Sequence, residues 1–268
     1  MNIEHEDLVQ MLTRLKLTAI RDRLDTLLDE AGRQELTTRQ ALAFLCHTEI
    51  EHKNQRRISM AKKLAKFPFD RTLEGFDFEA QPAVDPKQLQ ELSLCRWVAH
   101  GDNVLLLGPP GVGKTHLAVG LGRAAIERGY AVRFIQATHL LAALVKARDE
   151  DRLEEQLRQF TKPKLLIIDE LGYLPFERSA SNLFFQLVAR RYERGSMLMT
   201  SNRSVGEWGD VFGDAVLATA ILDRMLHHSH VVTIRGQSYR MRQKRQSGLL
   251  DAAKIQELET KKTRASFQ

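Results

Sequence analysis

The sequence predicts an α/β fold in which a parallel β-sheet is flanked by helices and preceded by a small all-helical N-terminal domain. From Asn103 onward, short apolar runs alternate with stretches of helical spacing, a pattern typical of a parallel sheet covered on both faces. The first 66 residues contain helix-spaced apolar positions and no strand-like run. Residues 67–86 contain three prolines and separate these two regions as a linker.

Composition places the chain among globular proteins. Of its 268 residues, 43% are hydrophobic and 28% are charged, which excludes fibrous and largely disordered classes. No apolar run approaches the roughly 18 residues of a membrane helix. Two cysteines, Cys46 and Cys95, are too few for a disulfide framework, and the early acids Glu4, Glu6 and Asp7 are the wrong charge for a targeting peptide. We therefore expect a cytoplasmic protein with no membrane partner.

The N-terminal domain, residues 1–66, is predicted to contain three helical stretches. Apolar residues between positions 8 and 31 recur mostly at intervals of three and four, which is the spacing of an amphipathic helix. Thr37 or Thr38 can cap a second helix, and a third stretch runs to about Lys66. In the linker, the cluster around Phe76 and Phe78 is expected to dock on the domain that follows.

The second domain is predicted to span residues 87–247. Its strands are expected at residues 104–107, 131–135, 165–168, 197–200 and 231–234, and its helices at 115–128, 138–160 with a charged break, 179–194 and 215–227. The tail, residues 248–268, is polar and basic, and is expected to be flexible.

A glycine-rich loop follows the first predicted strand and opens the first predicted helix of this domain. Its sequence is Gly108-Pro109-Pro110-Gly111-Val112-Gly113-Lys114-Thr115, which fits the phosphate-binding pattern G-x-x-x-x-G-K-[ST]. The glycines allow successive N–H groups to face phosphate oxygens, and the helix N-terminus adds partial positive charge. Lys114 is suited to the β- and γ-phosphates and Thr115 to Mg²⁺, so the loop predicts an ATP–Mg²⁺ site.

Polar residues end two further predicted strands. Asp169 follows the apolar run 165–168 and can hold Mg²⁺ through water, while Glu170 can orient or deprotonate a water for attack on the γ-phosphate. Glu170 therefore favours hydrolysis over transfer to a second substrate. Asn202, after the strand at 197–200, could bond that water or the γ-phosphate, although these residue types also favour turns.

Together these motifs resemble an AAA+ ATPase of the DnaA/DnaC type and, more closely, the IstB family of helper ATPases in insertion-sequence transposition. The resemblance rests on residues 108–118, 168–173, 200–203 and 221–225 and on the helical domain ahead of the ATPase domain. It implies an AAA+ P-loop fold. It also implies that Arg224 is an arginine finger for a neighbouring subunit's ATP and that Arg240 is a sensor II residue for the subunit's own nucleotide. The helices within 138–160 resemble the initiator-type insertion near the DNA path.

The same resemblance implies an ATP-dependent, DNA-binding oligomer that assists a transposase. ATP would join subunits on double-stranded DNA, and hydrolysis would reset the complex. A replicative helicase loader of the DnaC type is the alternative, since it would share the fold and the ATP chemistry. A nucleotide-gated scaffold without useful hydrolysis is a third hypothesis, which Glu170 and Asn202 disfavour.

Basic residues point to nucleic acid. The chain has 40 basic and 34 acidic residues, and no acid lies between His52 and Phe69. The predicted DNA-binding residues are Lys53, Arg56, Arg57, Lys62, Lys63 and Lys66. A second acid-free group spans residues 235–245. A solvated basic helix face is the alternative interpretation.

Three histidines, His227, His228 and His230, could bind a metal ion. No cysteine or acid lies at ligand spacing beside them in the sequence, so a surface or subunit-contact role is favoured.

Overall fold

A computed structural model describes residues 4–173, 175–239 and 241. The chain divides into two compact units after Ala61. The first unit contains α1 (His5–Arg14), α2 (Thr18–Asp22), α3 (Leu24–Arg33) and most of α4 (Thr38–Ala65). Leu12, Ile20 and Leu24 form its small core. Within the described ranges, no helix is long and apolar enough to cross a membrane.

The N-terminal helices differ from their prediction. The helix expected over residues 8–31 is interrupted, because Lys16 adopts a left-handed backbone with φ 56° after α1. The carboxylate of Glu49 then accepts hydrogen bonds from the N–H groups of Ala19 and Ile20 at 2.8 and 3.1 Å. The apolar spacing continues through this break. The residue that accepts hydrogen bonds from the N–H groups at the start of α2 lies on α4, so the local sequence did not reveal the break. The second and third predicted stretches form the single helix α4.

The second unit carries a five-stranded parallel sheet, as predicted. Its strands are β1 (Asn103–Leu107), β2 (Val132–Gln136), β3 (Leu165–Leu171), β4 (Ser196–Ser201) and β5 (Ser229–Thr233), in the order β2-β3-β4-β1-β5. The helices are α5 (Pro86–Ser93), α6 (Arg96–His100), α7 (Lys114–Glu127), α8 (Ala137–Asp149), α9 (Leu153–Thr161), α10 (Arg178–Arg191), α11 (Trp208–Phe212) and α12 (Ala215–Leu226), with a 3-10 turn at Val205–Glu207 before α11.

The strand order sets the position of the site. Strands β1 and β4 are buried along their whole length, and each contains an apolar run, at residues 104–107 and 197–199. Strand β4 lies between β1 and β3, so the carboxyl ends of these three strands meet at one edge of the sheet. Ligands of open parallel sheets bind at this edge.

A buried arginine fixes the opposite ends of β3 and β4. The Arg191 guanidinium donates to the carbonyl oxygens of Phe160, Pro163, Lys164 and Ser196 at 2.8, 3.0, 3.1 and 2.7 Å. Burial lowers the pKa of Arg191 to about 10. These bonds satisfy a charge that would be costly to bury unpaired, and they tie α9 to the starts of two strands.

The linker packs directly against α7 and the loop before it. A Cβ atom at Gly113 would lie 2.6 Å from the Phe76 ring, and one at Gly120 would lie 2.6 Å from Leu73 Cδ2. Phe76 is buried, with its ring centroid 5.1 Å from that of Phe78. The predicted docking of the aromatic cluster is confirmed. Gly113, just before α7, permits the close approach of Phe76, and Gly120 on α7 permits that of Leu73.

Candidate nucleotide-binding site

A cavity of about 460 Å³ opens at the carboxyl edge of the sheet. One wall consists of residues 110–116 with the ends of β3 and β4, and we call it the phosphate wall. The other contains Phe69, Phe76 and Gln81 of the linker, with Tyr239 at its rim, and we call it the linker wall. The two walls differ in chemistry. The phosphate wall carries Lys114, Thr115 and Glu170 beside backbone N–H groups, whereas the linker wall combines the rings of Phe69 and Phe76 with polar and charged side chains, among them Arg71 and Asp77.

The glycine-rich loop adopts a conformation that its sequence requires. Gly111 and Gly113 have φ values of 82° and 100°, in the left-handed region that side chains disfavour. Helix α7 starts at Lys114, so its unpaired N–H groups face the cavity mouth. The Lys114 ammonium group donates to the carbonyl oxygens of Gly108 and Pro109 at 2.6 and 2.8 Å.

Asp169 is a buried carboxylate that contacts two residues of the phosphate wall. Its Oδ1 accepts from the Thr200 hydroxyl at 2.6 Å, and both its oxygens lie 3.1 Å from the Thr115 hydroxyl. Burial raises the pKa of Asp169, and the hydrogen bonds from Thr200 and Thr115 oppose that rise. A hydroxyl and a carboxylate in contact form the oxygen donor set that Mg²⁺ prefers, so these residues fit that ion.

Glu170 lies beside Asp169 in an unusual backbone conformation. Its φ is 60°, which is costly for a residue with a side chain, and the side chain is exposed at the cavity. Its N–H donates to the Thr200 hydroxyl at 2.9 Å. One buried threonine therefore connects both acids, through the Asp169 carboxylate and the Glu170 backbone. Thr200 was not predicted as a site residue. The available signal was a polar residue that follows the apolar run 197–199 within a strand.

Asn202 also lines the cavity, just beyond β4. Among the described residues, its Oδ1 is buried and has no hydrogen-bond partner. The structure thus brings Lys114, Thr115, Glu170 and Asn202, which are distant in sequence, to one cavity.

The linker wall was not predicted as part of the site. The Phe76 ring lies edge-on to the His116 ring, with centroids 5.3 Å apart, and His116 Nε2 is 2.7 Å from the Thr72 carbonyl oxygen. Gln81 is buried, and its Nε2 donates to the Gln237 carbonyl oxygen at 3.1 Å. The aromatic and proline-rich composition of residues 67–86 was the available signal, but it did not reveal which surface this segment would cover.

The family profile described as "IstB-like ATP binding protein" matches residues 10–247 of the chain. The chain belongs to this family. Its IstB-like sequence is 46% identical over 244 residues to a protein of insertion sequence IS21 from Pseudomonas aeruginosa, covering 91% of this chain and 92% of that one. It is 45% identical over 232 residues to a protein of insertion sequence IS5376 from Geobacillus stearothermophilus, covering 87% and 92%. Both relatives are named as ATP-binding proteins.

Solved structures confirm the AAA+ fold of this IstB-like chain. DnaI superposes with a TM-score of 0.53 at 19% identity, covering 65% of this chain and 93% of that one. DnaA from Aquifex aeolicus bound to AMPPCP superposes with a TM-score of 0.51 at 22% identity, covering 63% and 51%. At such identities the likeness concerns the fold alone.

Arg224 of the IstB-like chain lies on α12 and is not among the described residues that line the cavity. Its guanidinium donates to the Ala220 carbonyl oxygen at 2.9 Å and lies 4.8 Å from the centroid of the Phe185 ring. Arg240 lies outside the described residues, as do the tail 248–268 and the basic positions from 242 to 245.

The predicted DNA-binding residues lie on α4 or directly after it. Two of them form ion pairs: Lys53 Nζ is 3.5 Å from Glu49 Oε1, and Lys62 Nζ is 3.7 Å from Glu127 Oε1. The exposed members are Lys53, Arg56, Arg57, Lys63 and Lys66, whereas Lys62 is half-buried.

Proposed function

We propose that this chain is an ATPase whose ATP-bound form assembles on double-stranded DNA and assists a transposase. The observation that carries the proposal is the convergence of Lys114, Thr115 and Glu170 at one cavity, with the Asp169 carboxylate in contact with the Thr115 hydroxyl. The insertion-sequence context of the relatives supports the transposase as partner, since a transposase is the enzyme that moves such an element.

In this proposal the triphosphate lies along residues 108–115, where Gly108, Pro109, Pro110, Gly111, Val112 and Gly113 supply backbone groups. Lys114 leaves the loop carbonyls and binds the β- and γ-phosphates. Thr115 and Asp169 hold Mg²⁺, which neutralises charge on the phosphate oxygens when it is bound. The base lies against the linker wall, where the Phe76 ring offers an apolar surface.

Hydrolysis is assigned to Glu170 and Asn202. The exposed Glu170 carboxylate orients a water and accepts its proton as that water attacks the γ-phosphate. Asn202, just beyond the end of β4, donates a hydrogen bond to the γ-phosphate or bonds the attacking water. Thr200 holds the backbone of Glu170 in place.

Arg224 is proposed to complete the site of a neighbouring subunit. Its position outside the cavity supports this role, because it contacts no part of the pocket of its own chain among the described residues. A guanidinium group stays charged and can bond two phosphate oxygens at once. ATP would then bridge subunits and act as a switch on assembly. Arg240 remains proposed as a contact to the subunit's own nucleotide.

DNA is proposed to contact the basic residues of α4 and Lys66 through its phosphates. Such contacts release counterions, so binding weakens as salt increases. Alanine at Arg56 and Lys63, both exposed, should lower the slope of log affinity against log salt by about two units, roughly one for each lost phosphate contact. The exposed Lys87 on α5 offers a matched control.

The test is to measure the mass of the complex formed by the protein, duplex DNA and a slowly hydrolysed ATP analogue. We expect a larger species only when nucleotide is present, and none with Lys114→Ala. A complex of one size with and without nucleotide would contradict the proposal. Preference for single-stranded DNA, together with capture of a replicative helicase and not of the transposase, would support the helicase-loader alternative.

A mixing experiment tests the shared site. Arg224→Ala and Glu170→Gln subunits should each be inactive alone. Mixed together, they should recover hydrolysis, because some sites then combine an intact Glu170 with an intact Arg224 from the next subunit. No recovery in stable mixed oligomers would refute the role of Arg224 between subunits.

A further inference from the structure

A cluster of potential metal ligands lies on the second unit, outside the nucleotide cavity. Glu193, His227 and His228 are exposed, and each offers one ligand atom within 4.8 Å of the others. Sequence analysis disfavoured a metal here because no acid lay beside the histidines. The fold, however, brings Glu193, which is distant in sequence, close to His227 and His228.

Two helix ends bring these residues together. Helix α10 ends at Arg191, and Tyr192 and Glu193 follow, with Glu193 in a left-handed conformation of φ 58°. Helix α12 ends at Leu226 and is directly followed by His227. The carboxyl end of a helix carries partial negative charge, so the convergence of two such ends favours a cation.

A hydrogen bond prepares His227 for coordination. The Tyr192 hydroxyl lies 3.0 Å from His227 Nδ1. In the tautomer in which Nδ1 of His227 donates to this hydroxyl oxygen, the lone pair for a metal ion is on Nε2. Histidine ligands of metal ions have this kind of support on the second ring nitrogen. The ring of His228 lies beside that of His227, with centroids 4.1 Å apart.

We propose that Glu193, His227 and His228 form a Zn²⁺ site, with water completing a tetrahedral arrangement. Two imidazoles and one carboxylate are a zinc ligand set, whereas Mg²⁺ and Ca²⁺ prefer oxygen ligands alone. The site is therefore chemically distinct from the pair Thr115 and Asp169. The ion would connect the ends of α10 and α12, and α12 also carries Arg224.

The test is a Zn²⁺ titration of the full-length, tag-free protein after chelator treatment, in competition with a chromophoric zinc indicator. We expect one ion per chain that excess Mg²⁺ does not displace. Glu193→Gln and His228→Ala should each weaken binding by at least the ~10- to 100-fold that loss of an outer partner costs. Tyr192→Phe, which removes such a partner, should fall within that range.

His230→Ala is the matched control, since His230 is an exposed histidine two residues from His228 but outside the cluster. It should bind Zn²⁺ like the wild type. Equal losses from His230→Ala and Glu193→Gln, or wild-type affinity in Glu193→Gln, would overturn the proposed site.

Thermal unfolding gives an independent readout. Zn²⁺ should raise the Tm of the wild type and of His230→Ala, because a ligand that binds only the folded state stabilises it. It should not raise the Tm of His228→Ala. The Glu193, His228 and His230 variants should unfold at the same temperature in chelator, since these three side chains are exposed. A similar Zn²⁺-induced increase in His228→Ala would count against the site.

Discussion

The two walls of the nucleotide cavity are built in different ways. The phosphate wall is a hydrogen-bonded network in which Lys114, Thr115, Asp169 and Thr200 have bonds of 2.6 to 3.1 Å. The linker wall is held mainly by packing, with the Phe76 ring against Gly113 and His116. The residues expected to bind phosphate therefore come from short sequence motifs, whereas the shape of the cavity also depends on the linker, which packs against those motifs.

The largest expected effect comes from removing the charge of the phosphate wall. Lys114→Ala should weaken ATP binding by more than about 100-fold, since bonds to charged groups contribute roughly 1.5–3 kcal/mol each and Lys114 can make two. Calorimetric titration with ATP is the measurement, and Lys162→Ala is the control for loss of a surface lysine. ATP affinity close to wild type in Lys114→Ala would show that the linker wall holds the nucleotide alone.

The second effect tests whether the phosphate wall acts as a network. Thr200→Val keeps the shape of the side chain but removes the hydroxyl that connects Asp169 and Glu170. We expect kcat to fall about 10- to 100-fold, equivalent to the ~1–3 kcal/mol of an unsatisfied buried partner, while ATP affinity changes less.

Thr200→Ser keeps the hydroxyl and should restore most of the hydrolysis rate. If serine and valine reduce kcat equally, the methyl packing of Thr200 matters and its hydrogen bonds do not.

The third effect probes the linker wall. Phe76→Leu should weaken ATP binding by about fivefold with little change in kcat, because an aromatic contact contributes roughly 1 kcal/mol beyond its burial. Phe78→Leu is the control, since that ring contacts Phe76 but is not among the described residues lining the cavity. Equal losses of affinity in both variants would indicate a general loosening of the linker.

The smallest effect concerns stability. Burial raises the pKa of Asp169, so its charged form destabilises the folded protein without nucleotide at pH values above that pKa. Asp169→Asn should therefore raise the Tm of the nucleotide-free protein at pH 7. The Tm difference should shrink as the pH falls and Asp169 becomes protonated. Differential scanning calorimetry at several pH values measures this, and a constant difference would contradict it.

Sequence reasoning predicted the parts of the molecule that contiguous residues encode. The loop from Gly108 to Thr115 and the two acids near the end of β3 belong to contiguous motifs, and the parallel sheet was predicted from the alternation of strands and helices. Thr200 was not predicted as a site residue because its hydrogen bonds are to Asp169 and Glu170 on the neighbouring strand β3. Glu193 was not predicted because it lies close to His227 and His228 only as a result of where α10 and α12 end. Both required tertiary structure, which local periodicity does not contain.

The folded-back Lys114 has a consequence for ligand choice. Its ammonium group is already bonded to two carbonyl oxygens, so an incoming anion gains the lysine only by replacing them. A chain of three phosphates carries more negative charge than a nucleoside monophosphate or an orthophosphate ion, and so attracts the ammonium group more strongly away from those carbonyl oxygens. We therefore expect the loop to bind nucleoside triphosphates in preference to monophosphates, without a contribution from a second macromolecule.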